Sequence, residues 1–275
     1  MSRPLSSAVS HLFGIFASHK FSPKIQHFIN NSYVKLMKLD MHQFNTPESY
    51  PSLNALFIRS FKFSPKIALE INEIASPCDA LVTECAKIKD AMAMQIKGME
   101  YDLASLLSGR YASDMELLEG GEYINLYLSP RDYHRYHAPF DLEVLSALHI
   151  PGKLYPVNMP LLKNKINLFA ENERVVLECR DKHMNKHYIV LVGALNVGKM
   201  VVTFDEHIKT NAKSRARSYY SYEPSKKLRI GELFGWFEMG STILLISQKD
   251  AVQYTAKVGK KVSFGESIGK LRDMK

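Results

Sequence analysis

From about residue 75 onward the chain breaks into short apolar runs, each too brief for a stable helix and each closed by turn-forming residues. Tyr123–Leu128, Arg174–Glu178, Tyr188–Val192, Met200–Phe204 and Ile243–Ile246 are rich in β-branched and aromatic side chains. Gly259 and the Gly265–Gly269 stretch punctuate the last of them. Many short strands with few long helical patterns predict an α+β chain whose core is a β-rich sandwich or partly open barrel. With 275 residues and 46% apolar content, the chain can bury such a core.

The first 45 residues have a different texture. Val9, Leu12, Phe13 and Phe16 follow the spacing of one helix face, and after Ser22-Pro23 a second pattern runs through Ile25, Phe28, Ile29, Ser32 and Leu36. Arg3, Lys20, Lys24, Lys35 and Lys38 face one acid, Asp40, so half of the net charge of +8 lies here. Two readings stand: helices lying in the plane of an anionic membrane, or a helical hairpin packed on its own domain. The expected organisation is amphipathic helices over 1–45 and a β-rich catalytic domain over 46–275, with a soft boundary around Pro47–Pro51 or near Pro65.

The 36 Lys and Arg against 28 Asp and Glu favour anionic partners. Nucleic acid ranks low among them, because the basic residues lack interleaved stacking aromatics. No run nears the roughly 20 apolar residues of a spanning helix, so a peripheral or cytoplasmic protein is expected. The three cysteines, Cys78, Cys85 and Cys179, are odd in number and form no C-x-x-C pair, which suits a reducing compartment and no structural zinc.

Three motifs are set aside. Gly193–Lys199 matches the start of a phosphate-binding loop, but Met200 stands where a hydroxyl should bind Mg²⁺, and a strand follows instead of a helix. A hairpin turn is the expectation there. Gly265-Glu266-Ser267-Ile268-Gly269 fits a nucleophile elbow, yet no histidine follows it. His183 and His187 have helical metal-ligand spacing but sit among Lys182, Asn185 and Lys186, which reads as a solvated turn.

What remains is an acid, two histidines and a serine in three separate segments: Ser76–Ala80 with Asp79, Leu128–Pro139 with His134 and His137, and Phe237–Thr242 with Gly240 and Ser241. A histidine can take a serine proton while an aspartate orients it. Spacing alone leaves structural roles for all of them open.

These segments resemble those of the phosphatidylserine decarboxylase family, which carries S-P-x-D-G, then Y-L-S-P-R-D-Y-H-R-x-H-x-P, then G-S-T before an apolar strand. Phe44, Asn45, Leu53, Asn54, Phe57 and Arg59 match the segment before the acid turn. Gln95 to Leu103 resembles its Q-x-K-G-x-x-Y-x-L, Leu168 to Val175 its L-F-A-x-N-E-R-V, and Val192 to Gly198 its V-G-A-x-x-V-G. The resemblance covers roughly residues 44–269. It departs at Ala80, where the family usually has glycine. If that position needs φ > 0, alanine would strain it by about 1 kcal/mol.

The resemblance implies a proenzyme that makes its own cofactor. Ser241, deprotonated by His137 with Asp79 behind it, attacks the Gly240 carbonyl. The chain is cut into residues 1–240 and 241–275, the smaller beginning with a pyruvoyl group derived from Ser241. That ketone condenses with the amine of phosphatidylserine and draws electrons from the carboxylate bond, releasing CO₂ and leaving phosphatidylethanolamine. His134 is the candidate to protonate Cα or contact the substrate carboxylate, placed near His137 if the segment is helical. Implied partners are phosphatidylserine, an anionic membrane surface at its cytoplasmic face, and the two chains of one precursor. A homo-oligomer is possible; no metal is implied. Lys209, Lys213, Arg215, Arg217, Lys226, Lys227 and Arg229, facing only Glu223, offer a second lipid-docking region or a solvated loop. Two rivals are a serine hydrolase using Ser241, His137 and Asp79, and a lipid-binding protein without catalysis.

Overall fold

The structure, a computed structural model, describes residues 14–96, 99–157, 164–195, 199–212, 216–238 and 241–273. Its strands are β1 (Glu73–Ala75), β2 (Ala80–Lys87), β3 (Met92–Ile96), β4 (Met99–Asp102), β5 (Glu122–Leu128), β6 (Arg135–His137), β7 (Leu142–Ile150) and β8 (Arg174–Asp181). They continue with β9 (Lys186–Gly193), β10 (Met200–Val202), β11 (Ser218–Leu228), β12 (Leu233–Phe237), β13 (Ser241–Ser247), β14 (Val252–Tyr254), β15 (Lys261–Val262) and β16 (Ser267–Leu271).

Eight strands form one antiparallel sheet in the order β11-β7-β8-β9-β13-β5-β2-β15, and three smaller sheets (β10-β12-β6, β1-β16-β14 and β3-β4) surround it. The fold is α+β and the sheets stay open. Every β-rich run named from sequence lies in or overlaps a strand. β13 is central because it can be: all seven of its residues are buried, and Ile243 to Ile246 pack between Ile124 and Leu126 on one side and Ile189 to Leu191 on the other. Each large aliphatic buried there contributes about 1.5–3 kcal/mol. Arg174 ties the sheet to the chain around it, donating to the carbonyls of Leu106, Ala170, Asn172 and Ser105.

At the amino end, residues 14–18 are helical, and α1 (Pro23–Met37) and α2 (Leu53–Phe57) follow. α1 is inside out. Its buried side chains are Gln26 and Asn30, with Gln26 donating to Asn30 at 2.8 Å and Asn30 donating to the Pro47 and Tyr50 carbonyls. Its apolar stripe of Ile25, Phe28 and Leu36 faces outward, and Ile15 and Phe16 are exposed beside it. Val9, Leu12, Phe13 and Arg3 lie outside the described residues. No helix among the described residues is long and apolar enough to cross a membrane.

Two sequence expectations need correcting. Gly193 ends β9 and Met200 opens β10, but these strands belong to different sheets, so their connection crosses between sheets and is not a hairpin. His187 is not in a solvated turn. It is a buried residue of β9 whose ring nitrogens meet Ser247 Oγ at 2.8 Å and Asp181 Oδ2 at 3.1 Å, leaving neither free for a metal.

Candidate active site

The acid, histidine and serine segments converge on one end of the main sheet. Ser241 opens β13 opposite Leu128, the last residue of β5, and opposite Gly193, the last of β9. Ala80 opens β2 and pairs with Val262, and the β2–β5 register continued by one residue sets Ala80 against Leu128. Asp79, just beyond this row, is two strands across from Ser241, about 10 Å at ordinary strand spacing. Ala80 is strand-like and has no positive φ, so the alanine sits without strain.

The histidine segment is extended, not helical, and this corrects the basis for pairing its two histidines. Leu233 pairs with His137, and the Phe237 N–H donates to the His134 carbonyl, so the segment runs along β12. Gly235 permits the approach: a Cβ there would sit 2.3 Å from the ring of Tyr136, its partner in the histidine segment. In an extended chain, residues three apart point to opposite faces. His134 accordingly packs on Phe57 at 4.0 Å between ring centroids, and His137 on Phe264 at 4.1 Å.

Hydrogen bonding fixes both tautomers. Nδ1 of His134 lies 2.8 Å from the Asp132 carbonyl and Nδ1 of His137 lies 2.9 Å from the Gly231 carbonyl. A carbonyl only accepts, so each Nδ1 carries a proton and each Nε2 a lone pair. Burial pushes the imidazoles down to about 3 for His134 and about 4 for His137, since neither site solvates an imidazolium. Nε2 of His134 is buried with no hydrogen-bond partner, whereas Nε2 of His137 accepts from the Tyr133 hydroxyl at 2.9 Å.

Asp79 does not bond His137. Its Oδ1 accepts from the Phe264 N–H at 2.8 Å, and the Tyr133 N–H also faces it. Burial raises its carboxyl, and the Asp132 charge adds to this against those two donors. Tyr133 and Phe264 thus bridge the acid and the base: each offers its main chain to Asp79 and its side chain to His137. Sequence reasoning missed both. Tyr133 stood inside the histidine segment, two residues from Arg135 and four from His137, and only the extended geometry shows what it touches. Phe264, 185 residues from Asp79, left no signal.

Ser241 is fully buried and its Oγ has no hydrogen-bond partner; the adjacent Thr242 Oγ1 is likewise unpartnered. Gly240, on the other side of the expected cut, lies outside the described residues. A buried unpaired hydroxyl costs about 1–3 kcal/mol, so neither the Ser241 nor the Thr242 side chain is there for the stability of the fold. Beside Asp79 opens a cavity of about 590 Å³ whose lining includes Arg59, Phe61, Arg131, Asp132, Lys261 and Phe264. Arg59 is buried over the Phe44 ring and donates to the Arg131 carbonyl. With Tyr33 bonded to the Pro130 carbonyl and Arg135 to that of Ile58, the amino-terminal helices clasp the histidine segment. Among the described residues no cluster of three metal-ligating side chains occurs.

The chain is similar over most of its length to proteins of one kind. The pattern of the family described as "Phosphatidylserine decarboxylase" matches residues 53–270. A "Phosphatidylserine decarboxylase proenzyme" of Helicobacter pylori is 49% identical over 265 residues, covering 96% of this chain and 97% of its own. Proteins of the same name from Campylobacter jejuni and Haemophilus influenzae are 42% and 33% identical, covering 96% and 94% of this chain and 98% and 91% of theirs.

Proposed function

The chain belongs to the phosphatidylserine decarboxylase family, and from that premise we propose that it matures by cutting itself between Gly240 and Ser241 and then decarboxylates phosphatidylserine through the group so formed. The observation that carries this reading is the buried, unpartnered Ser241 Oγ at the head of a central strand. A hydroxyl that no outside molecule can reach is still next to one carbonyl, that of the preceding residue in its own chain.

In the proposed self-cutting step, His137 Nε2 takes the Ser241 proton. Oγ bonds to the Gly240 carbonyl carbon, and the Gly240–Ser241 peptide bond breaks to leave an ester and a free Ser241 amine. Loss of the Ser241 Cα proton expels Gly240 as a carboxylate. Water then replaces the nitrogen, releasing ammonia and leaving a pyruvoyl group at the start of residues 241–275. Asp79 fixes the main chain of Phe264, whose ring packs on His137, and so positions the base. The pyruvoyl group fits the site because its carbons are those of Ser241: Oγ leaves with Gly240, and the unpartnered hydroxyl gives way to a methyl group that needs no hydrogen bond. When formed, it supplies an electron sink for the bond to the departing carboxylate.

His134 serves the second reaction. Its unpartnered Nε2 lone pair is set to take a proton from the incoming ammonium group and to return it to Cα after CO₂ leaves. As a neutral Nδ1–H tautomer it accepts before it donates, so it does not begin by donating to the substrate carboxylate. The exposed stripe of Ile25, Phe28 and Leu36, with Lys24, Lys35 and Lys38 around it, supports peripheral attachment to an anionic bilayer. Three free cysteines support its cytoplasmic side.

In the uncut chain the burial of Ser241 disfavours a serine hydrolase acting on outside esters, whereas the proposed cut makes position 241 a chain end that phosphatidylserine could then reach. The test is the intact mass of purified protein beside Ser241→Ala. The reading expects two chains, 1–240 and a blocked 241–275, with the variant uncut. A wild-type chain that stays whole while releasing CO₂ from phosphatidylserine overturns it.

A further inference from the structure

We propose that Tyr133 is a positioning residue of the self-cutting step that holds His137 in reserve, its hydroxyl occupying the base nitrogen until the serine displaces it. The inference rests on the reading of His137 as the base. Two observations join to carry it. The lone pair on His137 Nε2 is the only one the ring has, because Nδ1 is committed to the Gly231 carbonyl, and Tyr133 O–H donates to that lone pair at 2.9 Å. Meanwhile the Ser241 hydroxyl, which needs that lone pair, has no partner. The base is engaged and the nucleophile is idle, the arrangement expected before one hydroxyl is exchanged for the other.

Tyr133 is held in this position by more than the hydrogen bond. Its ring packs on Phe61 at 4.4 Å, on Phe264 at 6.0 Å and on Phe44 at 6.1 Å between centroids, and its ring lies nearly parallel to His137 at 5.7 Å. Burial raises its phenol, so it remains a donor throughout the neutral range and does not compete for the serine proton. Phe44 and Phe61 come from the segment between the exposed helix α1 and the sheet, so the grip on Tyr133 is set by the amino-terminal region. For cutting to begin, the Tyr133 hydroxyl must swing off Nε2, and the cost of that step adds directly to the barrier.

The experiment is a pulse–chase of full-length protein made by coupled transcription and translation, timing loss of the uncut chain for wild type, Tyr133→Phe, Phe61→Leu, His137→Ala and the Tyr133→Phe, His137→Ala pair. Tyr133→Phe keeps the ring and removes only the donor. It is expected to cut about fivefold faster, the worth of one ordinary hydrogen bond on a rate. Phe61→Leu loosens the ring and is expected to cut faster too, while both chains lacking His137 stay whole. In uncuttable Ser241→Ala protein, the ¹⁵N resonance of His137 Nε2 should shift on adding Tyr133→Phe, which tests that the hydroxyl sits on that nitrogen; the faster cutting is the readout a merely structural role would not produce. Tyr133→Phe cutting at or below the wild-type rate, with His137→Ala uncut, overturns the role of Tyr133 alone. His137→Ala cutting normally overturns the base assignment, and the proposal with it.

Discussion

The acid side of the self-cutting reaction is the sharpest test of the site, because burial displaces His137 far from an ordinary histidine. Its imidazole titrates at about 4, since desolvation disfavours the charged form more than the Gly231 carbonyl favours it. Only the neutral ring can take the serine proton. At about pH 5.5 such a group is ~97% neutral, whereas an unperturbed histidine of pKa about 6.5 is only ~9% neutral. Cutting is therefore expected to keep almost its full rate at about pH 5.5 and to reach half only near pH 4. The same shifts have a cost in stability. Folded pKa values of about 3 and about 4 lie below the unfolded value, so the unfolded chain binds protons first as pH falls. The stabilisation is complete above about pH 6.5 and is lost progressively below it. Between about pH 7.5 and 5.5 each histidine costs about 1.4 kcal/mol, about 2.7 for the pair. Rate constants for chain cutting across this range, with urea midpoints of uncuttable Ser241→Ala protein in the same buffers, measure both effects. A cutting rate that halves near pH 6.5, or a stability flat from pH 7.5 to 5.5, refutes the buried neutral imidazoles.

Ser241→Ala itself should be more stable than the uncut wild type by about 1 kcal/mol or more, because it removes an unpaired buried hydroxyl; a lower urea midpoint would show that the hydroxyl has a partner after all. Arg174→Lys should lose about 3 kcal/mol or more, since an ammonium cannot reproduce a planar fork serving four carbonyls, and chemical denaturation reads the loss. Replacing Ile25, Phe28 and Leu36 together by serine should weaken sedimentation with anionic vesicles at least tenfold, as three exposed apolar side chains lose about 1.5–3 kcal/mol each on insertion. The melting temperature should barely move, because the fold holds that helix through Gln26 and Asn30 and through Ile29, Tyr33 and Val34 packed on the amino-terminal core.

Much of the sheet was legible because β-branched and aromatic runs have few alternatives: Ile243–Ile246 could only be buried, and Ser241–Ser247 is buried throughout. The strands overran the predicted ends where polar residues such as Arg180, Asp181 and Lys186 continue the ladder at the sheet margin. The helix over 23–37 was legible as amphipathic, but which face is buried was not, since sequence cannot show that two amides bond each other and a pair of carbonyls. His187 was misread for a related reason. A histidine among Lys182, Asn185 and Lys186 looks solvated until Ser247, 60 residues away, is found against its ring. At the candidate site the residue types and their order were readable, whereas the tautomers were not. Those depend on carbonyls of Asp132 and Gly231 that any residue could have supplied.

The place of β13 has a practical consequence. On the cut proposed between Gly240 and Ser241, the strand bearing the reactive group would belong to the piece that begins at Ser241, 35 residues of this sequence (275 − 240), and would stay zipped along its whole length between β5 and β9. Its later strand β16 is likewise paired with β1 of the larger chain. A protein cut in that way would be a natural case of fragment complementation, its smaller piece short enough for solid-phase synthesis. Unfolding the mature pair, removing the small chain and refolding the large one around a synthetic 35-mer gives a route to an enzyme whose terminal carbonyl is isotopically labelled, fluorinated or replaced by another α-keto acid.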